Sequence, residues 1–363
     1  MRVAIVIEHF AQSRGGVEAC AVRVVWELLK RGNDVSIVCR TAEPPLPPGA
    51  TVTSVSAPRF WQPLRLLVFS RKAEQATARG FDIVHSFSRT RHQQIYRAGG
   101  GSHATYMQQV YRHPSLQRSL SPRHRAILHV EEAVFGDPTQ LIQCVSRRVA
   151  HEIATGYGVA PERLAVVYNG VDTERFRPER RDSEREKLRR ELGLGEPVAL
   201  FVGTGFRRKG LDRAIRGLAA SGAAASLLVA GRGDARPYRQ LAQELGVASR
   251  THFLGQRADV ESLHAAADLL VMPTRYDPFA NAVLEGMASG LAVATTPENG
   301  VSELIEHGRN GLIYANDFAP AFSQLANPDE LSSIGAAARR TAERFSWAHH
   351  TDQLLELYAK VRT

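Results

Sequence analysis

Short apolar runs alternate with amphipathic helical patterns along almost the whole chain, in two successive series. In the first series, runs at residues 3–7 and 34–39 flank a pattern at 18–31 whose apolar positions recur every three or four residues. Further strand candidates are residues 81–85, 141–145 and 164–168, and further helices are 64–78 and 147–157. Strands that alternate with helices predict a parallel sheet covered by helices on both faces.

The second series has the same character. Its apolar runs are residues 198–202, 225–230, 251–254, 269–272 and 291–295, and its helical patterns are 211–220, 236–245, 258–267 and 278–289. Two such series in 363 residues predict an α/β protein of two doubly wound domains, with ligand at the carboxyl ends of the strands. We expect the boundary in the polar stretch 169–184 and interpret the charged run 180–191 as a solvated helix face. The tail, 336–361, is predicted to be helical with a break near Ser346.

Positive charge is concentrated in the first half of the chain. The net charge is +9, and residues 1–166 hold 21 Lys and Arg against 12 Asp and Glu, which accounts for all of it. Such asymmetry predicts that the first half meets an anionic partner; a general richness in arginine is the alternative. The three cysteines show no metal or disulfide spacing, and no leader peptide is visible, so a reducing compartment is expected.

The segment Tyr276–Glu285 reads Y-D-P-F-A-N-A-V-L-E and carries two carboxylates eight positions apart. The pattern predicts Asp277 as the N-cap and Pro278 as the first residue of a helix that Gly290 ends. On one continuous helix the two carboxylates would stand roughly 12 Å apart along the axis. That spacing suits the sugar and the ribose of a nucleotide-sugar, with the diphosphate at the helix N-terminus. An ordinary capped helix is the alternative.

Two glycine-containing turns follow predicted strands. Gly15 and Gly16 open the first predicted helix, where glycine lets the backbone approach a phosphate or simply makes a tight turn. The turn 203–210 fits neither the dinucleotide fingerprint nor the Walker A pattern. Its cations Arg208 and Lys209 suit a diphosphate leaving group, and a solvent-facing basic turn is the alternative.

The histidines and the basic segment 106–135 indicate function less strongly than the motifs above. None of the 13 histidines has a metal-binding spacing, and His103 is singled out only because it follows a run of three glycines and Ser102, a turn expected to face the ligand. Residues 106–135 mix apolar side chains with Arg112, Arg118, Arg123 and Arg125. We interpret this segment as an element that lies on an anionic membrane surface, with a core helix as the alternative.

Taken together, these residues resemble the retaining nucleotide-sugar glycosyltransferases of family 4, also called group 1. The resemblance runs from end to end through Gly15-Gly16-x-Glu18, Asn169-Gly170-Val171-Asp172, Arg208-Lys209-Gly210 and the Asp277/Glu285 pair. Residues 203–296 are most similar to the lipopolysaccharide core glucosyltransferases. The resemblance implies the GT-B fold, with two Rossmann-like domains facing across a cleft. The implied domains are residues 1–168 for the acceptor, 169–345 for the donor, and a helix at 346–363 that crosses back to the first domain.

The resemblance also assigns roles to matching positions. Donor contacts fall to Gly15, Gly16, Arg208, Lys209, Glu285 and the backbone amides of Phe279, Ala280 and Asn281. Arg208 and Lys209 would neutralise the diphosphate, Asp277 would hold the sugar hydroxyls and Glu285 the ribose hydroxyls. His103 would face the reacting sugar. Asp277 departs from the glutamate that is usual at its position, so the identity of the sugar stays open.

The expected activity is transfer of a hexose, glucose in the first instance, from a UDP-sugar to a lipid-linked or lipopolysaccharide core acceptor. No metal and no cofactor are expected, nor is a nucleic-acid partner. The enzyme is expected in the cytoplasm, at the inner face of the cytoplasmic membrane. Two alternatives remain open: a nucleotide-sugar epimerase of the same fold, and a non-catalytic nucleotide-sugar-binding protein.

Overall fold

The computed structural model describes residues 1–12, 14–111, 113, 115–116, 120–195 and 197–362. Arg112 and Arg118, two cations of the expected membrane element, lie outside these ranges. The chain forms two compact units. Unit 1 comprises Met1–Gly170 with the C-terminal segment that begins at Trp347, and unit 2 comprises Val171–Ser346.

Unit 1 is built on a parallel sheet. Its strands are β1 (Arg2–Phe10), β2 (Asp34–Ala42), β3 (Thr51–Ser54), β4 (Ile83–Ser86), β5 (Ile95–Ala98), β6 (Leu141–Cys144) and β7 (Leu164–Val166). Their spatial order is β3-β2-β1-β4-β5-β6-β7. Val3 on β1 pairs with Val35 on one side and Ile83 on the other. The strand order therefore reverses between β1 and β4, the point at which doubly wound sheets bind ligands.

Helices cover this sheet. They are α1 (Gly16–Lys30), α2 (Gln62–Thr77), α3 (His103–Val110), α4 (Pro122–Gly136), α5 (Arg147–Tyr157) and the C-terminal α14 (Trp347–Arg362). The main core joins β1 and α1 to Leu354, Leu357 and Tyr358 of α14. The Tyr358 hydroxyl also lies 2.8 Å from Nδ1 of the buried His85 on β4. The last helix is thus an integral part of unit 1, although unit 2 precedes it in sequence.

Unit 2 repeats the design. Its strands are β8 (Val198–Val202), β9 (Ser226–Ala230), β10 (Thr251–Gly255), β11 (Leu269–Met272), β12 (Ala292–Thr295) and β13 (Leu312–Ile313). All pairs are parallel, in the order β10-β9-β8-β11-β12-β13. The order reverses between β8 and β11, so the corresponding ligand position is at the carboxyl ends of these two strands.

Unit 2 also contains helices. They are α6 (Arg180–Glu191), α7 (Phe206–Lys209), α8 (Leu211–Ser221), α9 (Arg236–Glu244), α10 (Val260–Ala266), α11 (Asn281–Ala288), α12 (Ala319–Ser323) and α13 (Pro328–Ala342), apart from short 3₁₀ turns. The prediction of two doubly wound α/β domains is confirmed, as is the helix break near Ser346. Three strands were not predicted. β3 is wholly exposed, β5 contains Arg97, and β13 has two residues, so none shows a clear apolar pattern.

The interpretation of the run 180–191 as a solvated face is wrong for one side of α6. Arg181, Arg185 and Arg189 recur every four residues and meet Asp268, the residue before β11. Arg189 Nη2 lies 2.7 Å from Asp268 Oδ2, and its Nε donates to the Ala266 carbonyl at 2.8 Å. The arginines therefore satisfy the C-terminal carbonyl groups of α10 and hold α6 against the sheet.

Candidate functional site

The loops that follow β8 and β11 are joined by hydrogen bonds. The Arg208 carbonyl accepts from the Arg275 backbone N–H at 2.8 Å and from the Thr274 hydroxyl at 2.9 Å. Gly210 has a φ of 76°, and a Cβ at this position would overlap the Pro273 carbonyl. Glycine is therefore required for the two loops to approach this closely. Their contact fixes the position of Arg208 and Lys209 beside Asp277.

Asp277 forms ion pairs with both predicted cations through a single oxygen. Its Oδ2 lies 2.6 Å from Arg208 Nη1 and 2.6 Å from Lys209 Nζ. Asp277 is 5% exposed and Lys209 is 8% exposed. Burial alone would raise the pKa of Asp277, but Lys209 and Arg208 hold this pKa at about 2. Burial lowers the pKa of Lys209, and Asp277 opposes that effect. We call these three residues the ionic triad; it carries one excess positive charge.

The expected helix start at Asp277 is wrong. Helix α11 begins at Asn281 with Ala280 as its N-cap, so Asp277 lies four residues before the helix and Pro278 is not its first residue. The cations compete for the carboxylate that a capped helix would use, and the backbone of Asp277 is bonded to residues 298–300 instead. The estimate of roughly 12 Å along one helix axis therefore loses its basis.

The Phe279 and Ala280 amides, which were predicted to contact the donor, have partners within the protein. The Phe279 N–H donates to Asp277 Oδ1 at 3.2 Å, and the Ala280 N–H donates to Asn299 Oδ1 at 3.1 Å. Asn281 is the first residue of α11. The buried Asn299 was not predicted as a site residue, although the turn pattern Asn299-Gly300 was the available signal.

Glu285 lies on α11, two residues before Met287 of the unit 2 core. Burial raises its pKa to about 7, and the positive charges of Arg175 and Lys209 oppose this rise. Lys209 therefore acts electrostatically on both carboxylates of the predicted pair. The structure brings Arg208, Lys209 and Asp277 together at one end of the unit 2 sheet, and Glu285 lies close enough to interact electrostatically with Lys209.

The predicted residues of unit 1 lie at the starts of two helices. Gly16 is the first residue of α1 and Gly15 is its N-cap, with a φ of −177° that any residue can adopt. His103 is the first residue of α3, which Ser102 caps. The His103 side chain is 4% exposed, and its expected position towards the ligand stays a prediction.

His103 belongs to a buried polar group that sequence reasoning missed. Its Nε2 lies 2.8 Å from His124 Nδ1, and its ring stacks on Tyr106. Its backbone N–H donates to the buried Glu131 at 2.9 Å. Burial lowers the pKa of His103 to about 3, assisted by the positive charge of Arg89, so the imidazole is neutral near pH 7. His124 and Glu131 lie seven positions apart on α4, a spacing that alone does not distinguish a polar pair from a solvated face.

Unit 1 also contains a pocket of about 250 Å³ at the carboxyl ends of its strands. Polar residues of its wall include Glu8, His9, Gln62, Arg89, Arg97 and Arg123. Arg97 is 2% exposed, and its Nη2 donates to Asn169 Oδ1 at 2.7 Å. The wall thus holds three arginines against the carboxylates of Glu8 and Glu18, a small excess of positive charge that agrees with the charge of the first half of the chain.

The expected membrane element differs from its prediction. Its apolar residues Met107, Val110, Ile127, Val130 and Val134 are buried in unit 1 and cannot contact a lipid surface as they stand. Leu116 and Leu120 of the same predicted element are exposed, as are Phe60 and Trp61 outside it, and Phe60 is 87% exposed. Arg59, Arg123 and Arg125 are also exposed in the same unit.

In the part of the chain that the structure describes, no helix has the length and hydropathy needed to cross a bilayer. Over the same residues, no group of three His, Cys, Asp or Glu side chains is arranged to hold a metal ion.

Comparison with known proteins places this chain in a family. Residues 14–175 match the model "Glycosyltransferase Family 4", and residues 196–327 match "Glycosyl transferases group 1". A D-inositol 3-phosphate glycosyltransferase of Geodermatophilus obscurus is 30% identical over 391 residues, which cover 96% of this chain and 85% of the relative. The chain belongs to the group 1, family 4 glycosyltransferases.

Two further proteins, WaaG and HepE, are similar to this chain in sequence or in structure. The lipopolysaccharide glucosyltransferase WaaG of Escherichia coli is 32% identical over 222 residues, 59% of each chain. A crystal structure of WaaG has a TM-score of 0.84, with 24% identity over 98% of this chain and 99% of that one. The structure of Anabaena Alr3699/HepE in complex with UDP-glucose has a TM-score of 0.78, with 19% identity over 99% of this chain and 100% of that one. The fold is GT-B, and the protein is a glycosyltransferase with a homologue in WaaG.

Proposed function

We propose that this glycosyltransferase moves a hexose, glucose in the first instance, from a UDP-sugar to a membrane-associated glycan with retention of anomeric configuration. The observation that carries the proposal is the ionic triad at the carboxyl ends of β8 and β11. It lies where doubly wound sheets bind nucleotides, and its excess positive charge suits a diphosphate. The UDP-glucose complex of HepE, a protein of the same fold, supports this choice of donor.

Within unit 2, each residue has a proposed task. Arg208 and Lys209 bind the diphosphate, Asp277 the sugar hydroxyls and Glu285 the ribose hydroxyls, while Phe279, Ala280 and Asn281 lie beside the sugar. The acceptor oxygen attacks the anomeric carbon on the face from which the diphosphate leaves, and the leaving phosphate takes the acceptor proton. Negative charge grows on the diphosphate as the glycosidic bond breaks, and fixed cations stabilise it without a metal.

Unit 1 is proposed to bind the acceptor and to contribute Gly15, Gly16 and His103 to the reacting sugar. Its positive charge and the cationic wall of its pocket suit an anionic glycan such as lipopolysaccharide core. His103 is neutral, so it acts as a hydrogen-bond partner rather than as a cation. The relative from Geodermatophilus is named a D-inositol 3-phosphate glycosyltransferase, and a phosphorylated acceptor of that kind is consistent with an anionic acceptor here.

The donor assignment is tested by titration calorimetry with UDP, GDP and ADP, and then with their glucose, galactose and N-acetylglucosamine forms. We expect UDP and one UDP-hexose to bind. Glu285→Ala should raise the KM for the donor about tenfold or more, since hydrogen bonds to the ribose are lost. Glu306→Ala, an exposed change in the same unit, serves as the matched control.

Assays of the products formed from the bound donor distinguish transfer from the two alternative activities. A released epimer without transfer would identify an epimerase, and binding without turnover would identify a non-catalytic protein. Unchanged transfer by Glu285→Ala would remove Glu285 from the donor site. Because fixed cations are proposed to replace a metal, EDTA should leave the rate unchanged, and loss of turnover that added divalent metal restores would contradict this.

A peripheral location at the inner face of the cytoplasmic membrane is proposed from exposed residues of unit 1. Phe60 and Trp61 expose aromatic surface, while Arg59, Arg123 and Arg125 supply positive charge for anionic lipids. Replacing Phe60 and Trp61 by Ser and Arg125 by Glu should abolish sedimentation with vesicles of anionic phospholipid, while the affinity for UDP stays the same. Arg309→Glu, at an exposed position of unit 2, is the control. Equal sedimentation of all variants would refute membrane binding through this surface.

A further inference from the structure

The Asp277 carboxylate has the surroundings of a bound anion. One oxygen accepts from a guanidinium and an ammonium group at 2.6 Å each, and the other accepts from the Phe279 backbone N–H at 3.2 Å. Two cations and a backbone amide are the donors that bind phosphate oxygens in proteins. A diphosphate that binds Arg208 and Lys209 therefore competes with Asp277 for the same N–H groups.

We propose that Asp277 is an exchangeable counter-anion, which the donor diphosphate displaces from Arg208 and Lys209 and which then turns to the sugar hydroxyls. This inference rests on the proposed donor site and adds a source of specificity to it. The residue would act in two successive contacts: first as the partner of the two cations, and then as an acceptor for the sugar.

The exchange discriminates between an intact donor and a nucleoside diphosphate without sugar. Asp277 is 5% exposed, so its carboxylate is poorly solvated once the two cations have turned to phosphate. A buried charge that loses its partners destabilises the complex strongly. Hydroxyl groups of a sugar can donate hydrogen bonds to the displaced carboxylate, whereas UDP or pyrophosphate offers none. The protein should therefore retain UDP-sugar in preference to UDP, and release the UDP product readily.

The affinity ratio of two ligands tests this exchange. Titration calorimetry with UDP, UDP-glucose and inorganic pyrophosphate should be compared between the natural protein and Asp277→Asn. Removing the competing charge should tighten UDP and pyrophosphate about tenfold, the equivalent of one charge-assisted hydrogen bond. UDP-glucose should bind no tighter, because its sugar loses the carboxylate acceptor. The preference for UDP-glucose over UDP should thus fall about tenfold or more.

Controls separate this effect from a change of net charge. Asp259→Asn removes an equal charge from a half-buried ion pair with Arg257 in the same unit, and should leave all three affinities within about twofold. Asp277→Ala is the second neutral variant if Asp277→Asn does not fold. Equal tightening of UDP and UDP-glucose would show that Asp277 is only a nearby negative charge, and would overturn the exchange. Unchanged or weaker pyrophosphate binding would overturn it as well.

The experiment also keeps the two proposals apart. If the natural protein binds no UDP-sugar while Asp277→Asn binds pyrophosphate more tightly than the natural protein does, the counter-anion role stands and the UDP-sugar donor is wrong. If UDP-glucose binds but Asp277→Asn leaves the preference over UDP unchanged, the donor assignment stands and the exchange is wrong.

Discussion

At the scale of single residues, two carboxylates eight positions apart have opposite electrostatic environments. Asp277 contacts two cations, and its pKa is held at about 2 despite burial. Burial disfavours the charged form of Glu285, and the favourable interactions with Lys209 and Arg175 are too weak to offset this effect. The pKa of Glu285 therefore rises to about 7. The sequence predicted both residues and both cations. It did not predict the shared oxygen, because the contact depends on how the loops after β8 and β11 meet.

A pH dependence of stability follows from Glu285. Between its ordinary pKa of 4.5 and about 7, the folded protein holds a proton that the unfolded chain has released. This group therefore makes the free energy of unfolding fall as pH rises through that window. The Glu285→Gln side chain cannot ionise. The free energy of unfolding of this variant, measured relative to that of the natural protein, should therefore rise by on the order of 2 kcal/mol between pH 5 and pH 8. Urea unfolding at both pH values measures this difference, and a constant difference would contradict the raised pKa.

At the scale of elements, charged side chains determine the packing of a helix that looks solvated in sequence. Helix α6 places Arg181, Arg185 and Arg189 on one face, against Asp268 and the end of α10. The start of α11 shows a similar effect, since Asp277 bonds to cations from another loop rather than to the first turn. The sequence indicated both helices, but their ends and faces depended on partners far away in sequence.

The α6 contacts should contribute to the stability of unit 2. Arg189→Met keeps much of the apolar volume but removes the hydrogen bonds to Asp268 and to the Ala266 carbonyl. We expect the free energy of unfolding to fall by about 2 kcal/mol, since buried charge-assisted bonds are lost. The neighbouring Arg190 is largely exposed, so Arg190→Met should change the free energy of unfolding by less than about 0.5 kcal/mol. Chemical denaturation of the two variants makes the comparison, and equal effects would refute a structural role for this face.

At the scale of the whole molecule, the chain returns to its first unit after completing the second. Leu354, Leu357 and Tyr358 of α14 lie in the same core cluster as Val3 and Leu28. Each unit has its own sheet and its own buried side chains. The last helix therefore stabilises unit 1, although its nearest neighbours in sequence belong to unit 2.

Truncation after Ser346 should consequently unfold unit 1 and spare unit 2. Removing α14 exposes the core beneath it, and three buried side chains contribute roughly 1.5–3 kcal/mol each. Proteolysis with mass spectrometry should detect cleavage within residues 1–170 and a protected fragment of about 171–346. Fragment 171–346 should also bind UDP by itself. Protection of the first 170 residues in the truncated chain would contradict this assignment of α14.

By itself, the sequence determined the fold class, the number of sheets and most of the candidate donor site. Alternating patterns and turn residues are local, and they give short-range preferences that survive in the folded protein. Tertiary structure alone decided that Asp277 shares its oxygen between Arg208 and Lys209, that His103 is buried against His124, and that Met107, Ile127 and Val130 of segment 106–135 lie inside. These outcomes depend on which distant groups arrive at the same place, and the free energy of a buried charge or apolar surface depends on those neighbours.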